Sequence, residues 1–209
     1  MIKKSDIKVK ICNKKIIITS LFIIFIIGII FGSIYISILD NSNKKIVIDS
    51  VKNYFYSFNK IDFSNKIEIF KNNLYKNILY FISIWLLGIS IIGLPIIIIM
   101  IFIKAFVTGF TISSIFAVYK FKGLIAIIIY LFPSNIIFIL YSLFLGAYSI
   151  DISIKLLKHV IYKKSFNFNY IMNKYFLLLL ISIILAVVLA LFDSFLSPGL
   201  FKLFTNNIK

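Results

Sequence analysis

The chain has 209 residues, 61% of them hydrophobic, with a mean hydropathy of +1.05 and a formal net charge of +16. That much apolar surface exceeds what one soluble core of this length can hide, which points to an integral membrane protein with the lipid bilayer as its partner. The lysines sit in short segments between apolar runs, not on one continuous basic face, which argues against a nucleic-acid partner.

Residues 1–15 form a basic tail with six lysines and one aspartate, followed by 24 uncharged residues from Ile16 to Leu39. About 20 apolar residues cross the hydrocarbon core as a helix, so 16–39 is expected to be the first transmembrane helix. A cleaved signal peptide would have a shorter apolar region and a small-residue cleavage site, which Ile38-Leu39-Asp40 does not offer. Gly28 and Gly32 make a GxxxG step that permits close helix approach, a spacing that also arises by chance in apolar runs.

Residues 40–73 are the one sizeable polar segment, with six lysines and four acids. Ile48, Val51, Phe55 and Phe58 recur at three and four residues, with Ile61, Ile67 and Phe70 continuing less regularly. The stripe predicts one or two amphipathic helices, lying on the membrane surface or packed as a connector on the rim of a bundle. Thirty-four residues are too few for a catalytic domain.

The second span is expected at Leu74–Ile92 and the third at Ile96–Val118, with no charge between Lys76 and Lys104. Gly93 and Pro95 punctuate them, because proline lacks a backbone donor and disfavours helix in the residue before it; a tight helical hairpin follows. Along the third span Ala105, Gly109 and Ser113 form a small-residue stripe suited to close packing. Residues 119–123 read as a short loop, and Leu124–Ser149 as a fourth span interrupted at Pro133-Ser134-Asn135. Pro133 should kink that helix and leave the Ile129 carbonyl without its usual donor. Ser142, Gly146 and Ser149 make another small stripe. Residues 150–174 are basic, 175–195 are the fifth span, and 196–209 form a tail.

The basic tail and the 150–174 loop carry eleven lysines in 40 residues, and lysine excess marks the cytoplasmic side. Five spans then place the amino terminus inside, and residues 40–73 and 196–209 together on the outer face.

Lys104 lies roughly 13 Å into the third span and Asn135 roughly 17 Å into the fourth from the other side, at 1.5 Å per residue. In a core about 30 Å thick the two are level, so Asn135 and the carbonyl freed by Pro133 are expected to accept from a buried Lys104. Snorkelling of Lys104 to the membrane surface is the competing reading. Asp193, near the end of the fifth span, could meet interfacial water or pair with an outer-side lysine.

No catalytic, cofactor-binding or metal-ligating constellation is visible. Cys12 and His159 are the only residues of their kinds, and neither belongs to a cluster. Cys12 reads as incidental, with palmitoylation beside the first span as the minor alternative. HExxH, GxSxG and GxxxxGK[ST] motifs are absent and the seven acids are scattered, so no enzyme activity is expected.

Several pieces occur in an order that resembles the stage II sporulation protein M family. They are Ile69-Phe70 with Asn73-Leu74, Leu87-Gly88, Ile92-Gly93-Leu94-Pro95, Phe102-Ile103-Lys104-Ala105-Phe106, and Gly109-Phe110-Thr111. Lys122-Gly123, Leu131-Phe132-Pro133-Ser134-Asn135 and Phe192 to Pro198 follow. The resemblance runs from about residue 67 to 203 and leaves the basic tail and first span unmatched. The family usually has glycine where Ala105 stands and commonly glutamate where Asp193 stands.

The resemblance implies an all-α, polytopic membrane bundle of about five spans that serves as a non-catalytic scaffold for endospore engulfment. It also implies peptidoglycan-degrading partners, stage II sporulation proteins D and P, and a place in the mother cell membrane at the engulfing septum. Asn73, Gly88 and Pro198 join Gly93, Pro95, Lys104, Gly109, Pro133, Asn135 and Asp193 as structural or interaction positions. A permease subunit is the alternative, motivated by the helix breaks and the intramembrane lysine. The small stripes leave a homo-oligomer open.

Overall fold

The computed structural model describes residues 4–57, 63–162 and 168–206, and among them every element is helical. In chain order these are α1 (Lys4–Ile38), α2 (Asn41–Ser57), α3 (Phe63–Gly88), α4 (Gly93–Tyr119), α5 (Gly123–Tyr130), α6 (Ile136–Tyr162), α7 (Phe168–Leu191) and α8 (Ser197–Asn206). A 3-10 turn, Lys120–Lys122, joins α4 to α5, and Lys120 ends α4 at a positive φ of 49°. Two π-helical segments, Leu131–Asn135 and Phe192–Leu196, join α5 to α6 and α7 to α8.

Among the described residues four helical stretches are long and apolar enough to cross a membrane: Lys15–Ile38, Gly93–Tyr130, Ile136–Ile161 and Ile171–Lys202. The sequence led us to expect five. The missing one is α3, which does form as a long helix and packs along α6 and α7. Its middle turns carry Asn72, Asn73, Lys76 and Asn77, and these line cavities of the bundle. A helix that turns a polar face inward has no need of uniform apolarity, so a hydropathy criterion passes over it.

The outward side chains are those lipid would cover. Phe22, Ile30, Phe31, Ile99, Ile128 and Ile184 are all exposed, on four different helices. The interior is a large cluster built around Leu21, Phe81, Ile84, Ile97, Ile101 and Leu145. A smaller cluster of Phe55, Ile115, Ala126, Ile127 and Phe201 closes the end where α2 and α5 meet α4 and α8 packs on both α2 and α5. Of the two readings of the 40–73 stripe, packing on the rim accounts for Phe55, which is 1% exposed with Tyr119 and Phe201 rings 5.2 and 5.3 Å away. Phe58 and Ile61 lie outside the described residues.

Two expected loops are largely helix. α6 runs on to Tyr162, stabilised in its last turns by an i,i+4 pair between Asp151 and Lys155 at 2.5 Å, so little of 150–174 separates it from α7. The expected tail after 196 is α8 up to Asn206.

α1 lies parallel to α4 and forms the most extensive helix pair of the fold. Gly28 meets Ala105, Gly32 meets the backbone of Phe106 and Phe110, and Gly109 meets the backbone of Ile29. Ser33 Oγ donates to the Gly109 carbonyl at 3.3 Å. The GxxxG step of α1 thus finds its partner within the chain, on the Ala105–Gly109 stripe. A Cβ on Gly32 would collide with the Phe106 carbonyl oxygen and lie 2.8 Å from its carbon and 2.9 Å from the Phe110 nitrogen. Backbone cannot yield as a side chain can, so Gly32→Leu should cost at least about 1–3 kcal/mol. Denaturant titration of the detergent-solubilised protein checks this; an unchanged midpoint would show that the two helices are not pressed together.

Candidate functional site

Two polar clusters lie at different depths of the bundle. The first is where α3 ends. A helix C-terminus leaves four carbonyls without intrahelical partners, and burial makes that costly. The turn 89–92 supplies two donors, Ile89 N to the Leu86 carbonyl at 3.1 Å and Ser90 N to Leu87 at 3.0 Å. The other two come from neighbouring helices. Tyr175 Oη of α7 donates to the Trp85 carbonyl at 2.7 Å, and Ser153 Oγ of α6 donates to the Gly88 carbonyl at 3.1 Å and to Ser90 at 2.9 Å.

Trp85 reciprocates by donating Nε1 to the Tyr175 carbonyl at 2.9 Å, and the two rings stack with centroids 5.1 Å apart. Gly88 lies directly under this contact, where a Cβ would collide with Tyr175 Oη and come within 2.7 Å of Ser149 Cβ. Gly93 presses on the Leu87 carbonyl. Pro95 falls in the first turn of α4, where its missing donor has no intrahelical role. The expected Gly-Leu-Pro hairpin is therefore a cap for α3, locked by residues 60 and more positions downstream.

The second cluster lies where the two π-helical segments meet. A cavity of about 190 Å³ is lined by Asn73, Asn77, Lys104, Ser134, Asn135 and Asp193, among others. A wider cavity of about 450 Å³ adjoins it toward α2 and α8, sharing Asn73, Lys76, Asn135 and Asp193. Ser134 Oγ donates to Asp193 Oδ1, tying the first π segment to the second. Both segments absorb a proline, Pro133 within the first and Pro198 just after the second. Polar side chains then serve the loosened backbone: Asn135 Nδ2 donates to the Tyr130 carbonyl at 2.6 Å, and Ser194 Oγ to the Ala190 carbonyl at 2.7 Å.

Lys104 and Asn135 share this cavity, as their depths predicted, but no hydrogen bond joins them among the described contacts. The Asn135 amide is spent on the helix break, and the carbonyl it serves is Tyr130's, not Ile129's. The Lys104 ammonium lies 4.2 Å from the centroid of the Phe138 ring. Its charged counterpart is Asp193, which attracts it across the cavity without forming an ion pair within 4 Å. Asp193 is thus an inward-facing residue bonded to Ser134, and it shares its cavity with Lys104 and with Lys76, the lysine near the outer end of α3.

Sequence reasoning named Asn73 only through resemblance, without placing it beside Lys104, and did not single out Lys76, Asn77 or Ser134. The signal was available: Asn73, Lys76, Asn77 and Tyr80 recur at three and four residues, a polar stripe on α3 that faces the bundle. Gly109 belongs to the α1 contact, away from both clusters. Among the described residues no three His, Cys, Asp or Glu side chains gather as a metal site would require.

Apolar side chains outward, capped and broken helices inward, and a lysine and an aspartate facing one internal cavity define a polytopic, all-α integral membrane protein. The stage II sporulation protein M family matches residues 21–198, most of the chain, and the protein belongs to that family. It is a sporulation-related, multi-pass membrane protein. The match reaches back into α1, which the resemblance read from the sequence had left out. Neither a curated protein nor a solved structure matches the chain significantly.

Ser134→Ala removes the donor that holds Asp193. A hydrogen bond to a charged group contributes about 1.5–3 kcal/mol, and a loss of that order is expected in denaturant titration. Tyr175→Phe should cost about 1–3 kcal/mol, because the Trp85 carbonyl is then left buried without its donor. Wild-type stability in either variant would show that the corresponding contact contributes nothing.

Proposed function

We propose that the protein is a non-catalytic membrane scaffold of the engulfment complex. It would recruit and position peptidoglycan-degrading enzymes, stage II sporulation proteins D and P, as the mother cell membrane moves around the forespore. The observation that carries this reading is membership of the stage II sporulation protein M family over residues 21–198.

The architecture supports the reading physically. With the lysine-rich tail and the α6–α7 connection on the cytoplasmic side, α2 and α8 face outward, toward the cell wall. α2 is pinned by Phe55 while Lys45, Asp49 and Lys52 stay exposed, so a charged surface is presented on a fixed base. A platform that must hold enzymes at a moving membrane edge benefits from such fixity, because an interface ordered in advance loses less entropy on docking. The paired cavities favour a second reading, a permease subunit, because intramembrane charges often mark a substrate path.

Crosslinked pull-down of the tagged, full-length protein from sporulating membranes, followed by mass spectrometry, separates the two. The scaffold reading expects membrane-anchored peptidoglycan hydrolases, with recovery falling at least several-fold in a Lys45→Glu/Lys52→Glu variant that is inserted normally. Recovery of a nucleotide-hydrolysing subunit without any hydrolase would replace the scaffold with the permease.

A further inference from the structure

We propose that the cavity between the two π-helical segments is a binding site for a monoanionic oxyanion group, a carboxylate or a phosphate. The inference does not depend on the scaffold reading. It starts from which partners the cavity lacks. Lys104 can only donate, and among the described residues its ammonium has no hydrogen-bond acceptor, only the face of Phe138 at 4.2 Å. Asn77 adds a buried amide nitrogen, Nδ2, that is also without a partner. Asp193, the one carboxylate present, already accepts from Ser134 and stands more than an ion-pair distance from Lys104. The unmet groups at the floor are therefore donors, and what they need is an acceptor.

Charge gives the sign of that acceptor. The lining carries Lys104 and Lys76 against Asp193, a net of one positive charge, so a monoanion brings the site to neutrality. Burying an uncompensated charge among apolar helices is costly, and an anion held in the cavity would offset that cost. Size and access fit as well. About 190 Å³ holds one oxyanion group with a water or two, and the adjoining 450 Å³ cavity leads out past Lys76 toward α2 and α8. Lys76 lines both cavities, where it can attract an anion at the entrance and pass it toward Lys104. The helix breaks account for the space itself, since Pro133 and Pro198 bring on the π segments whose widened turns open the wall.

The same chemistry could arrive as a free anion or as the phosphate of an anionic lipid, and the test distinguishes them. The full-length protein in phosphatidylcholine nanodiscs is titrated with acetate and with inorganic phosphate, following heat and thermal stability. In parallel, protein from nanodiscs containing phosphatidylglycerol is examined by native mass spectrometry for retained lipid. Saturable binding of a soluble anion, or retention of one phosphatidylglycerol, is expected. Asn77→Leu and Lys104→Met should each weaken it at least tenfold, while Lys104→Arg keeps it. Should Lys104→Met fail to fold, Asn77→Leu and the wild-type titration still decide. Absence of saturable binding by all three probes, or equal binding by wild type and the Asn77→Leu variant, would overturn the proposal.

Discussion

A lysine and an aspartate inside a membrane protein must be kept from lipid, and much of this fold follows from that requirement. A charged side chain at the centre of a spanning helix costs about 2.5–3.5 kcal/mol to insert, so such residues face inward and gather polar company. Here the company comes from three sources. α3 turns Asn73 and Asn77 toward the charges, the first π segment supplies Ser134 and Asn135, and Phe138 of α6 presents its ring to Lys104. α3 could not do this as a conventional apolar span. Its polarity is the counterpart of Lys104 on the next helix, and the two are joined by a turn too short to let them separate.

Holding such a bundle together in lipid is a second problem, because lipid tails are as apolar as leucine and no hydrophobic drive pulls the helices together. Close backbone approach and interhelical hydrogen bonds must serve instead. α1 and α4 use the first, through Gly28, Gly32, Ala105 and Gly109. α3, α6 and α7 use the second, through Trp85, Tyr175, Ser149 and Ser153, with Tyr141 adding a bond of 3.1 Å to the Leu178 carbonyl and one of 2.8 Å with Ser182. Each set also borrows the other's device, since Ser33 donates across to the Gly109 carbonyl of α4 and Gly88 lets Tyr175 and Ser149 press against α3. Together they fix every long helix to a neighbour by something more directional than area.

The parts of the fold legible in the sequence were those written in apolar length and in glycine and proline. α1, α4, the turn before Pro95 and the break at Pro133 follow from local rules. The stripe of α2 and the small-residue steps were equally plain, although only the structure says which helix each one meets. What periodicity could not show was long-range choice. Asp193 lies 59 residues from Ser134, and nothing local tells that carboxylate to face inward. Tyr175 and Ser153 look like an ordinary span residue and an ordinary loop residue until α3 is seen to end beneath them. Lysines near 155–158 read as loop because charge usually marks one, whereas the Asp151–Lys155 pair lets the helix continue.

The two π segments connect the stability of the bundle to its use. A π turn is less stable than the α-helix around it and persists where something else requires the wider backbone. Here Pro133 and Pro198 forbid regular hydrogen bonding at two places, and those places are brought face to face by the Ser134–Asp193 bond. Had either proline stood a few residues away, the breaks would open toward lipid, where unsatisfied carbonyls cost several kcal/mol each. Placed as they are, both breaks open toward the same polar interior, so one cavity serves two interrupted helices. The widened turns, the buried lysine and the polar face of α3 are therefore one arrangement, in which each feature is tolerated because the other two are present.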